Sequence, residues 1–179
     1  MPQKPDERDH VDRFLEKIQH VFPELDLEVE GIVDRIGGLH RRLNRTLDET
    51  LSEFGLDTAE YKALSALSQA GPPHRSTPGR LARRMDLSSG AMTNRLDRLE
   101  EAGLVRRLRD PDDRRSVVVE LTDHGRETYR DAVGVQAQKE ALVAAALNPR
   151  EKSQMNALLR KLMVEFERRE RSGAQPGPR

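Results

Sequence analysis

Along most of this chain apolar residues recur at three- and four-residue spacing, and at one place only the period drops to two. Leu104-Val105-Arg106-Arg107-Leu108-Arg109 and Ser116-Val117-Val118-Val119-Glu120-Leu121 alternate as strands do. Between them stands Asp110-Pro111-Asp112-Asp113-Arg114-Arg115, a run rich in turn formers. A single hairpin cannot bury itself, so it must lean on helices. The fold class this predicts is mainly α with a small β-hairpin.

The helical segments are punctuated clearly. Phe14, Leu15, Ile18, Val21 and Phe22 form one stripe, broken by Pro23. A second helix from Asp26 carries Val29, Ile32, Val33, Ile36, Leu39, Leu43, Leu47, Leu51 and Phe54, with Gly55 at the position of a C-terminal cap. A helix that long asks for a partner beyond one small monomer. Asp57-Thr58 caps a third, with Tyr61, Leu64 and Leu67 inward, and Gly71-Pro72-Pro73 ends it. Thr77-Pro78 reads as an N-cap followed by Pro at the first helical position, opening a short helix to about Met85. After the turn Asp86-Leu87-Ser88 comes a helix with Met92, Leu96 and Leu99 on one face, stopped by Gly103. Beyond the hairpin, Thr122-Asp123 caps a helix toward Leu147, Asn148-Pro149 breaks it, and a last helix carries Met155, Leu158, Leu159, Leu162, Met163 and Phe166. The layout expected is tails at 1–8 and 172–179, flanking helices at 9–57 and 123–171, and a helix-helix-hairpin domain at 58–122.

Composition removes several functions. The 179 residues include no Cys, which excludes disulfides, thiol nucleophiles and Cys-ligated zinc. Four Phe, two Tyr and no Trp leave too few rings for a base-stacking platform. The longest apolar run, Ala141 to Leu147, is far short of the ~20 residues of a membrane span, and no secretory signal opens the chain, so a cytoplasmic protein without membrane contact is expected. Net charge is zero but uneven. Residues 1–57 hold 8 basic and 14 acidic side chains, while 72–115 hold 11 basic and 7 acidic. A locally basic middle suits a polyanion.

Short helix, turn, helix, hairpin is the order of a winged helix-turn-helix. In that arrangement one helix enters a major groove about 12 Å wide and the hairpin reaches the flanking backbone or minor groove. With Met92, Leu96 and Leu99 inward, Gly90, Thr93, Asn94 and Asp97 point outward, and Arg95 and Arg98 flank them within reach of phosphates. Ser88, Ser89 and Gly90 permit close approach at the helix start. Asp97 suits an ion pair that positions an Arg. Thr77, Arg83 and Arg84 on the supporting helix are candidates for phosphate contacts, with Arg83 and Arg84 equally readable as surface charges. The plainer reading is an ordinary solvated helix face.

Three stretches carry a family resemblance. Asp97-Arg98-Leu99-Glu100-Glu101-Ala102-Gly103-Leu104-Val105, then Asp110 to Arg115, then Leu121-Thr122-Asp123-His124-Gly125 resemble, in order, the signature of MarR-type transcriptional regulators. Leu87 to Asn94 resembles the family's recognition helix, and the helix near 9–22 goes beyond its minimal plan. The resemblance implies a homodimer built by terminal helices, reading a pseudopalindromic operator in double-stranded DNA. It further implies that Arg115 enters the minor groove, that Asp113 braces it or the neighbouring Arg114, and that a small anionic or phenolic effector releases the DNA.

No Walker loop, G-x-S-x-G, H-E-x-x-H or dinucleotide fingerprint occurs, so neither an enzyme nor a cofactor or metal is expected. His40 is a candidate cavity residue, or a partly buried helix residue. Arg35, Arg41, Arg42 and Arg45 are candidates for an effector anion, or for ion pairs with Asp34, Asp48 and Glu49. The rival from another class is a winged-helix protein-interaction module without DNA binding. An apolar face on the second helix would favour it, and Gly90-Thr93-Asn94-Asp97 is polar.

Overall fold

The computed structural model describes residues 8–110 and 116–173. Two compact units divide the chain, Met1–Gln136 and Ala137–Arg179. The elements in chain order are α1 (His10–Gln19), α2 (Leu27–Glu53), α3 (Thr58–Gln69), β1 (Arg75–Ser76), α4 (Pro78–Arg84), α5 (Ser89–Glu101), β2 (Val105–Arg109), β3 (Val117–Leu121), α6 (Asp123–Val143) and α7 (Pro149–Arg171).

Local chemistry sets these boundaries. Asp26 caps α2, Asp57 caps α3, Thr77 caps α4, Ser88 caps α5 and Asn148 caps α7, each accepting backbone N–H groups of the first turn. Gly103 ends α5 at φ +70, a left-handed conformation that costs glycine nothing. There the Leu104 N–H donates to the Leu99 carbonyl and the Gly103 N–H to the Glu100 carbonyl, both at 2.9 Å, while Leu99 and Leu104 are buried.

The sheet is antiparallel in the order β1-β3-β2. Val105 faces Leu121 and Arg109 faces Val117, so the hairpin stays in register to its end. β1 is an addition to the expected hairpin: Arg75 pairs with Glu120 and Ser76 with Val119. Two polar residues carry no alternation, so this strand exists only because β3 offers it an edge.

One core joins these pieces. Leu51, Leu64, Leu67, Leu81, Met92, Leu96, Leu99, Val105, Val119 and Leu121 are all buried in it. Removing one such leucine to Ala costs about 2–5 kcal/mol, so the core fixes how α3, α4, α5 and the sheet sit together. Gly125 closes the assembly. A Cβ built there would lie 1.9 Å from the Leu104 carbonyl oxygen, so only glycine lets the first turn of α6 come this near. Thr122 completes the joint: its hydroxyl donates to the Gly103 carbonyl at 2.7 Å and accepts the Gly125 N–H at 2.9 Å.

Earlier in the chain, α1 lies against α2. Val11 is its buried residue, and the Arg35 guanidinium reaches Asp9 at 3.0 Å and Asp12 at 2.5 Å. This corrects the expectation that Arg35 pairs within α2. The backbone N–H of Asp12, and then Arg35, hold the Asp9 carboxyl down at about 2. Arg42 donates to the Gly38 carbonyl, Asp48 accepts from the Thr58 hydroxyl, and His40 is exposed and bonded to Asn44. In the second unit, no residue of α7 is buried.

Candidate nucleic-acid interface

The face of interest begins where α5 does. The Ser88 hydroxyl accepts the Ala91 N–H at 3.2 Å, and Ser89 and Gly90 are exposed just beyond it. One turn later the Thr93 hydroxyl donates to the Ser89 carbonyl at 2.9 Å. Asn94 beside it is exposed, and its amide has no partner among the described residues. The outward row of small polar groups is thus solvated and open. Thr77 sits at the start of α4, its hydroxyl accepting the Arg80 N–H at 3.3 Å.

The arginines behave differently from the expectation for the flanks of α5. Arg95 turns toward α3 and reaches the Asp57 carboxylate at 2.6 Å. Arg98 meets the Glu60 carboxylate at 3.0 Å and Asp57 at 3.7 Å, and Glu60 is only 3% exposed. The reason lies in the first turn of α3, where Asp57 and Glu60 form a capping box and so present two fixed carboxylates to α5. Burial raises the Asp57 carboxyl, but the Glu60 backbone N–H and Arg95 outweigh it and hold it below its usual value. The spacing Asp57-x-x-Glu60 is the sequence signal that marks this mount.

A second mount ties α5 to the sheet. Asp97 takes the Arg107 guanidinium at 2.6 Å, and Glu100 accepts both the Arg107 side chain and its backbone N–H, the latter at 2.9 Å. The expected role of Asp97 as a positioning partner therefore has a named Arg. On the other side of the sheet, Glu120 is buried between Arg75 and Arg106. Burial pushes its carboxyl up, and Arg106 and Arg75 together bring it below the ordinary range. Asp113, Arg114 and Arg115 lie outside the described residues.

Comparison with known proteins accords with this geometry. The MarR family model matches residues 56–117, the stretch from the start of α3 to β3. The regulator PecS of Dickeya dadantii is 30% identical over 149 residues, 83% of this chain and 90% of PecS. The chain belongs to the MarR family. MarR itself, from Escherichia coli, is 36% identical over 87 residues, covering 49% of this chain and 58% of that protein. A crystal structure of a mutant E. coli MarR complexed with operator DNA superposes with a TM-score of 0.58 at 29% identity, covering 75% of this chain and 95% of that one. YusO of Bacillus subtilis, at 22% identity and TM-score 0.66 over 88% of this chain and 99% of its own, shows the shared fold. PecS is named as an HTH-type transcriptional regulator, and this chain is a transcriptional regulator of that family, not an enzyme. Among the described residues no helix is long and apolar enough to cross a membrane.

Proposed function

We propose that this MarR-family chain is a sequence-specific regulator that binds a pseudopalindromic operator in double-stranded DNA as a homodimer, represses from it, and is released by a small effector. The observation that carries this reading is the two-sidedness of α5. Arg95, Asp97, Arg98 and Glu100 are each paired, with Asp57, Glu60 or Arg107, while Ser89, Gly90, Thr93 and Asn94 stand open. Such a helix is mounted for reading a groove. The operator complex of the E. coli relative supports the same reading.

Exposed apolar stripes support the homodimer. On α2, Val29, Ile32, Val33, Ile36 and Leu39 are at least 42% exposed, and on α7 Leu158, Leu159, Leu162, Met163 and Phe166 are at least 41% exposed. Patches of this size in an uncovered chain call for a partner, and a second copy with two-fold symmetry supplies one. Arg115 extends the contact to the minor groove, with Asp113 bracing it or the neighbouring Arg114, on the strength of the family signature. The effector rests on the family alone, as does a site of action in the cytoplasm.

The test is fluorescence anisotropy on DNA upstream of the protein's own gene, against a scrambled duplex, over a salt series. Tight, selective, salt-sensitive binding by a dimer is expected. Equal weak binding to both duplexes would favour the protein-interaction module.

A further inference from the structure

The winged region carries more arginine than its own carboxylates neutralise, and the structure sorts these cations into two sets. Arg75, Arg95, Arg98, Arg106 and Arg107 each hold a carboxylate. Arg80 and Arg83 on α4 and Arg109 at the end of β2 hold none among the described residues, and all three are exposed. Arg84 is spent on the Gln69 side chain.

A missing partner alone does not mark a contact, since Arg41 and Arg45 on α2 lack one too among the described residues. Position decides it. Leu81 and Ala82 are buried and face the core, so Arg80 and Arg83, three apart, share the opposite side of α4. In a helix-turn-helix the first helix crosses the phosphate backbone while the second enters the groove. Arg109 is the last residue of β2, where the strand runs out toward the wing tip. Leaving these guanidiniums unpaired lowers the cost of handing them to phosphates. Arg98 is tied through its Nε to the buried Glu60, so drawing it toward a phosphate would weaken that pair.

We infer that Arg80, Arg83 and Arg109 are the phosphate-gripping cations of this interface, and that Arg95 and Arg98, the arginines of the recognition helix itself, are structural. The assignment deepens the DNA-binding reading above and rests on it.

The experiment compares the salt dependence of operator binding in the full-length protein for wild type, Arg80→Gln, Arg83→Gln, Arg109→Gln and Arg98→Gln. Each phosphate contact contributes about −0.9 to the slope of log K against log salt, and twice that when both copies of a dimer make it. Arg80→Gln, Arg83→Gln and Arg109→Gln should each flatten the slope by that amount, on operator and scrambled duplex alike, with the melting temperature unchanged. Arg98→Gln should leave the slope as in wild type. Unchanged slopes for the first three variants, or an equal flattening by Arg98→Gln, would overturn the assignment. A wild-type titration that shows no binding to either duplex would instead bring down the DNA-binding reading, and this assignment with it.

Discussion

Arg107 and Glu100 meet twice: one carboxylate on α5 accepts both the guanidinium and the backbone N–H of the same β2 residue. With Asp97 on the other side of the guanidinium, the start of the wing is fixed to the recognition helix by charge-assisted bonds. The start of β2 is therefore tied to α5 at one side chain, from two carboxylates.

Replacing Arg107 by Met removes those side-chain bonds and leaves Asp97 and Glu100 without their cation. The expected cost is about 2 kcal/mol of stability, typical of hydrogen bonds to charged groups. Operator affinity should fall as the wing loosens, while the far-UV circular dichroism stays unchanged. Urea titration and anisotropy together check this; undiminished affinity would show that the wing docks without Arg107.

Gly125→Ala drives a methyl group into the Leu104 carbonyl, and backbone must move to admit it. A loss of about 3 kcal/mol is expected. Gly103→Ala, by contrast, meets open space and pays only for its left-handed backbone, about 1 kcal/mol. Urea midpoints of the two variants should fall in that order, and the reverse order would refute the close approach at Gly125.

Acid should weaken the sheet through Glu120. Its carboxyl in the folded protein lies below the ordinary value of 4.5, so the folded state binds the proton less well than the unfolded chain does. The resulting stability is fully present above about pH 4.5 and is lost as pH falls toward the folded value. Glu120→Gln should lower the urea midpoint at pH 7 and flatten its decline between pH 5 and pH 3. A variant that declines as steeply as wild type would remove Glu120 as the source.

Asn94→Ala takes away an exposed amide with no partner among the described residues, so stability should not change. If Asn94 reads a base edge, discrimination between operator and scrambled DNA drops by about 1–3 kcal/mol. An equal loss on both duplexes would mean that it touches backbone only.

Much of the fold was legible because local signals agreed with tertiary packing. Asp57 and Thr77 cap where the sequence expects caps, Asp26 caps where the second helix is expected to begin, and Gly103 stops α5 as its position suggests; Ser88, read as part of a turn, and Asn148, read as a break, prove to be caps as well. What escaped depends on distance in sequence. Arg35 takes its partners from Asp9 and Asp12, on a different helix, where nearness along the chain favours Asp34. A helical projection puts Arg95 on the flank of α5, but a long side chain follows the nearest fixed carboxylate, and Asp57 lies 38 residues away. β1 left no periodic trace because it is held by Glu120 and Val119 across the sheet.

The mount of α5 has a consequence for retargeting. Arg95, Asp97, Arg98 and Glu100 occupy the same helix as the polar reading row, yet they engage α3 and β2. A graft that swaps the whole helix for that of a relative would exchange its anchor bolts along with its lettering, and the new helix would sit at an angle set by someone else's carboxylates. On the proposed function, libraries confined to Ser89, Gly90, Thr93 and Asn94 would leave the bolts in place and vary only the open row.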